Sequence, residues 1–208
     1  MQKALWLIIF VSSYVTGQGI SQTIVIGNTN NICFSDSSLT LVDSLPGNLE
    51  DCEAIFMFSN ATSNLSETDV SRIESFLLNG GGVYMGSDNW PLQAEANQIT
   101  KEFYQKESFG LYDVDVAQVN QVGNLKLSEK DTVPAGKTTS AFPLDYRLTV
   151  EAWVDDQPLI LTGNYGKGKI VIDTGYSRFY CDQRNEHTDL LFKKIYGFLR
   201  EEEEVKLR

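Results

Sequence analysis

A single histidine, three cysteines and no surplus of basic charge in 208 residues exclude several chemistries at once. With His187 alone, neither a histidine-rich metal site nor a two-histidine metalloprotease motif can be assembled. The 17 Lys and Arg are outnumbered by 28 Asp and Glu, a net charge of −11. No cationic surplus exists to displace the counterions of a polyphosphate, so nucleic acid is not an expected partner. No apolar run approaches the ~20 residues of a bilayer-spanning helix. Cys33, Cys52 and Cys181 form no CxxC and no close metal-ligand spacing, and no motif implies a metal or a cofactor. What is present suits a folded protein: 42% hydrophobic and 11% aromatic content is enough for a core. The length is that of one domain of ordinary size.

Met1–Gly17 has the pattern of an export signal. Lys3 supplies a short positive start, Ala4–Val11 an apolar stretch, and Val15 and Gly17 small or neutral residues before a cut at Gln18. The alternative is an uncleaved first strand. The first cysteine lies too far downstream for a lipoprotein signal. The expected product is an exported, periplasmic or secreted chain with no transmembrane segment. It has one domain over residues 18–200 and a charged tail over 201–208, where Glu201–Glu204 is a solvated run. In an oxidising compartment three cysteines give one disulfide and one thiol. Asn60-Ala-Thr62 and Asn64-Leu-Ser66 are formal glycosylation sequons, relevant in a eukaryotic secretory pathway.

Within the domain, Thr23–Ile26, Ala54–Phe58 and Val83–Met85 are short continuous apolar runs, as expected of strands buried on both faces. Between the last two, Ser66-Glu-Thr-Asp69 reads as a helix cap. Val70, Ile73, Phe76 and Leu77 follow at helical spacing, and Asn79–Gly82 ends the helix. Strand–helix–strand order predicts a parallel sheet. Pro91–Tyr104 suits a helix, Tyr112–Val116 and Arg147–Val150 short strands. Pro158–Thr162 and Lys169–Asp173 suit a hairpin around Gly163–Gly168. A last helix over 185–200 carries Leu190, Leu191, Ile195, Tyr196 and Leu199 as its apolar face.

Three candidate sites follow. Gly163–Lys169 nearly matches a phosphate-binding loop, but Ile170 replaces the hydroxyl residue and a strand, not a helix, follows. Cys181 with His187 lacks both a nucleophile elbow and a third metal ligand. The third candidate is positional. Ligands of open parallel sheets gather at the carboxyl ends of the strands. The expected strands end in Asn28, in Ser59 and Asn60, in Ser87, Asp88 and Asn89, and in Asp173 followed by Ser177 and Arg178, with His187 nearby. Trp90, Tyr176 and Tyr180 are candidate aromatic surface there. On the same directions Cys33 and Cys181 share the carboxyl edge while Cys52 lies opposite, which favours a Cys33–Cys181 disulfide.

Ala54–Phe58, the helix end Leu77–Gly82, the strand Val83–Gly86 and Asn164–Ile172 together resemble the class I glutamine amidotransferase-like superfamily, especially its exported and trehalose-utilisation-like branches. The resemblance implies an α/β fold: an open, mostly parallel, flavodoxin-like sheet flanked by helices, with a late β-hairpin. Catalytic members carry a cysteine after the strand that here reads Val83–Gly86. This chain has Ser87-Asp88 and no GxSxG context. The expectation is therefore a non-catalytic exported domain binding a protein partner or a small polar or carbohydrate ligand at the carboxyl edge. The alternatives are a hydrolase using Ser87 or Asp88 with His187, and an envelope scaffold.

Overall fold

The computed structural model describes residues 22–34 and 38–200. The expected signal, Met1–Gly17, and the charged tail, 201–208, lie outside the described residues.

Strand β1 (Gln22–Gly27) has β2 (Leu39–Leu41) on one side and β3 (Cys52–Phe58) on the other, both parallel to it. Helix α1 (Glu67–Leu78) then crosses to β4 (Gly82–Gly86), parallel to β3. The cap read from the sequence is formed. Asp69 N–H donates to Ser66 Oγ at 3.1 Å, and Ser66 N–H donates to Asp69 Oδ2 at 3.0 Å. Loss of such a cap costs about 1 kcal/mol. Val70, Ile73, Phe76 and Leu77 are all buried. Gly82 opens β4 because the Leu199 backbone passes where a side chain would start.

Helix α2 (Ala94–Tyr104) begins after a cis Trp90–Pro91 bond, three residues later than Pro91. The next segment differs from the sequence expectation. Tyr112–Val116 is not one strand. It divides into β5 (Phe109–Tyr112) and β6 (Val116–Val119), which join different sheets. After β7 (Val133–Pro134), β8 (Thr139–Ala141) pairs with β5 as a separate antiparallel ribbon. Strand β9 (Leu148–Val154) leads into the hairpin of β10 (Gln157–Tyr165) and β11 (Gly168–Asp173). That hairpin is tighter than expected. Asn164 pairs with Lys169 and Tyr165 with Gly168, so only Gly166 and Lys167 make the turn.

The main sheet runs β2-β1-β3-β4-β11-β10-β9-β6-β7. It is mixed: β2 through β11 in that order are parallel, and pairings from β11 outward to β7 are antiparallel. Alternate residues of the parallel strands face opposite layers. Ile24, Ile55, Met57, Val83 and Met85 pack with α1 and α2. Val25, Phe56, Phe58, Tyr84 and Val171 pack with helix α3 (Glu186–Arg200). Both faces are covered, which explains the unbroken apolar runs. Burying each such side chain favours folding by about 1.5–3 kcal/mol. On α3 the buried stripe includes Leu191, Phe192, Ile195, Phe198 and Leu199. Leu190, expected inward, is 40% exposed because it falls outside that stripe.

Candidate functional site

Parallel β1, β3, β4 and β11 all end at one edge, where the loops from Asn28, Ser59, Ser87 and Asp173 converge. A short 3-10 turn, Tyr176–Phe179, follows β11. It packs back over this edge and is tied to the loop after β1. Cys33 and Cys181 form a disulfide, Cys33 N–H donates to Phe179 O at 3.1 Å, and Cys181 N–H donates to Asn31 O at 2.8 Å. Cys52 begins β3 at the opposite edge and is a free thiol, its pKa raised chiefly by burial.

Most side chains singled out in the sequence do come together here, and their polar atoms are taken up by one another. Asn28 Nδ2 donates to the Tyr176 hydroxyl at 3.0 Å, which donates to Ser59 O at 2.8 Å. Ser59 Oγ accepts from Ala96 N–H in the first turn of α2. Asn60 donates from its backbone and side chain to Glu95, at 2.6 and 2.9 Å. The Ser87 and Ser108 hydroxyls are 3.1 Å apart. The Asp88 carboxylate accepts from Asn89 N–H and Ser177 N–H, each at 2.7 Å. Asn89 Oδ1 accepts from the Thr138 hydroxyl at 2.8 Å, and Ser177 Oγ accepts from Lys137 N–H at 3.2 Å.

Beneath this layer lies a buried charge network. Asp173 accepts from the Tyr84 hydroxyl at 2.8 Å and from Gly175 N–H at 3.0 Å. Its Oδ1 is 3.1 Å from Arg178 Nη2, with both side chains at 0% exposure. Arg178 also donates to Gly175 O and Ala135 O. The desolvation of such a pair is offset only by good geometry and further hydrogen bonds. Arg178 Nε and Nη2 have theirs, whereas Nη1 is buried without a partner among the described residues. Burial and the neighbouring Asp173 carboxylate push the Tyr84 phenol well above its ordinary pKa. Burial also pushes Asp88 up to about 6, outweighing its hydrogen bonds from Ser177 and Asn89.

A roof over the central strand ends was not foreseen. It is the β5–β8 ribbon. Ser108 meets Ser87, the Ser140 hydroxyl donates to Asp88 O at 3.0 Å, and Ser140 N–H donates to Thr174 O at 3.0 Å. Ser87 and Asp88 are consequently 0% and 1% exposed. Tyr176, expected to offer aromatic surface, is fully buried, because its hydroxyl is held by Asn28 and Ser59 and its ring packs edge-on to Phe58. Tyr180 is half-buried, whereas Trp90 is 79% exposed. His187 lies in the first turn of α3, its backbone N–H capped by Asn185 Oδ1. Among the described residues no hydrogen bond joins it to Ser87 or Asp88. None of their His, Cys, Asp and Glu side chains form a group of three placed for a metal ion. No described helix is long and apolar enough to cross a membrane.

Buried carboxylates also lie outside the sequence candidates, Glu95 and Glu151 among them. Glu95, 2% exposed, holds the β3–α1 loop. Glu151, 0% exposed, accepts from Asn124 N–H and Leu125 N–H. Only a glutamate at a helix start and another inside a strand run marked them. A cleft of about 610 Å³ opens at the other edge of the sheet, lined by Leu49, Cys52, Glu53, Arg72, Phe76 and Arg200 among others.

No protein-family model matches the sequence, and no curated protein matches it. Solved structures do resemble it. The mmIFT52 N-terminal domain superposes with a TM-score of 0.63 at 10% identity, covering 86% of this chain and 98% of that one. Cytoplasmic protein STM3548 from Salmonella typhimurium gives 0.60 at 13% identity, covering 86% and 100%. A putative ThuA-like protein from Bacteroides uniformis gives 0.57 at 11% identity, covering 88% and 92%. At such identities the likeness concerns the fold alone, an α/β arrangement shared with a putative ThuA-like protein.

Proposed function

We propose that this chain is a non-catalytic, exported, glutamine amidotransferase-like domain that binds a protein partner across the roofed carboxyl edge of its sheet. The observation that carries the reading is the burial of Ser87 and Asp88 under the β5–β8 ribbon, with their polar atoms engaged inside the fold. A hydrolytic nucleophile must reach its substrate and a base. The Ser87 hydroxyl, at 0% exposure and 3.1 Å from that of Ser108, supports the non-catalytic reading. The outer side of the roof has the opposite character. Trp90 is 79% exposed, Leu111 66% and Leu144 62%, large apolar side chains left open to solvent in and beside the roof, and exposed apolar surface is what a protein partner covers. Pairing of β5 with β8, and the Lys106 Nζ contact with Leu144 O, bring residues 106–112 beside residues 139–144.

Export rests on the Met1–Gly17 pattern and fits a disulfide, which persists in oxidising compartments. The surplus of acid, −11 overall, fits a protein partner better than a polyanion. A photo-crosslinking residue at position 90, with the same residue at Lys130 as control, tests the reading in the native host. Position 90 is expected to capture one defined protein that Leu111→Asp no longer holds. Identical capture from both positions contradicts it.

A further inference from the structure

The two sequons lie four residues apart in the β3–α1 loop, and the fold treats them differently. Asn60 is half-buried and committed. Its Nδ2 donates at 2.9 Å to Glu95 Oε1, its backbone N–H donates at 2.6 Å to Glu95 Oε2, and Glu95 is 2% exposed. The Asn60 carbonyl also accepts from Ala94 N–H at the start of α2. Asn64 is exposed, and only its backbone N–H is engaged, 3.4 Å from Glu95 Oε1. Its side-chain amide makes no hydrogen bond among the described residues. The loop around it is irregular backbone, open to an enzyme until Ser66 caps α1.

We propose that Asn64 is the N-glycan acceptor of this chain in a eukaryotic secretory pathway and that Asn60 is not. The proposal rests on the export reading and adds a modification site to it. In the transfer, Asn64 Nδ2 bonds to the anomeric carbon of a lipid-linked oligosaccharide diphosphate. The bond from that carbon to the diphosphate oxygen breaks, the diphosphate leaves with the electron pair, and the amide nitrogen gives up one proton. A sugar on Asn60 would instead occupy the place of the Glu95 carboxylate. That buried group would lose donors it cannot replace from water. Transfer precedes completed folding, so chains modified at Asn60 fail to close the loop onto α2 and do not reach the secreted pool. Secreted molecules then carry sugar at Asn64, where a bulky group meets only solvent.

The test secretes the full chain from mammalian cells behind a heterologous signal peptide, as wild type, Asn64→Gln and Thr62→Ala. Both substitutions change exposed side chains. Intact mass is read with and without an amide-cleaving endoglycosidase. Wild type and Thr62→Ala are expected to carry one removable glycan, and Asn64→Gln none. Ser66→Asp, which destroys the second sequon while keeping a capping acceptor, is expected to match Asn64→Gln and covers poor secretion of that variant. Secreted wild type without a glycan, or a glycan retained in Asn64→Gln or Ser66→Asp, overturns the proposal. Because the signal peptide is heterologous, these results do not depend on residues 1–17. Fusion of those residues to a reporter tests export separately.

Discussion

The two edges of the parallel strands are built in opposite ways. At the carboxyl edge Ser59, Ser87, Asp88, Asp173 and Arg178 are each no more than 1% exposed, bonded to one another and to the ribbon and turn above them. At the amino edge a cleft of about 610 Å³ stays open between the ends of α1 and α3, with Arg200 ion-paired to Glu53 at its rim. Polar residues at strand ends therefore do not by themselves mark a site. The same side chains that hold a ligand in an open sheet hold a roof in this one, and segments distant in the chain decide which.

Paired substitutions of arginine probe that contrast most strongly. Arg178→Met leaves the buried Asp173 carboxylate without its cation, and urea unfolding is expected to show a loss of about 3–5 kcal/mol. Arg200→Met at the amino edge, in a partly exposed pair, should cost only about 0–1 kcal/mol. Equal losses would erase the distinction between the edges.

Replacing Cys33 and Cys181 together by Ser comes next. The disulfide spans 148 residues, and its removal should cost about 2–5 kcal/mol, largely through the unfolded chain. Alkylation of Cys52 removes no cross-link and should leave the unfolding midpoint nearly unchanged.

Acidity offers a third probe. Asp88 has its pKa raised to about 6 by burial, so between about pH 4 and about pH 6 the folded state holds a proton that the unfolded state has lost. The contribution of Asp88 to stability is therefore full below the unfolded pKa and declines as pH rises through about 6. Relative to Asp88→Asn, the wild type should lose about 2–3 kcal/mol across that window. A difference that is flat with pH would mean the carboxylate is not sealed. The smallest effect on stability is expected for Leu111→Asp on the outer side of the roof, within about 0.5 kcal/mol. The same change should abolish partner capture.

Much of this architecture was legible locally. Ser66 and Asp69 announce the α1 cap, and the apolar runs of β1, β3 and β4 announce strands covered on both faces. Their directions put Cys33 and Cys181 together and Cys52 apart. The β5–β8 ribbon was not legible. Its strands are four and three residues long, and the pairing of Phe109 with Ala141 joins segments about thirty residues apart with no turn signal binding them. Asp88 shows the same limit from the side of chemistry. A carboxylate after a strand looks alike whether it faces a ligand or accepts from Ser177 N–H, and only the fold of residues 105–142 and 174–179 separates the two. Tyr176 follows the same rule: its hydroxyl is held by Asn28 and Ser59 and its ring packs edge-on to Phe58, so no aromatic face is left open.

The proposed non-catalytic role requires the Ser87 hydroxyl to stay sealed beneath the ribbon, where it is 0% exposed. Intact-mass measurement after exposure to a fluorophosphonate, alongside turnover of ester, amide and glycoside substrates, tests it. The predicted result is no adduct on Ser87 and no turnover above buffer in the wild type. A Ser87 adduct together with hydrolysis that disappears in His187→Ala would contradict it.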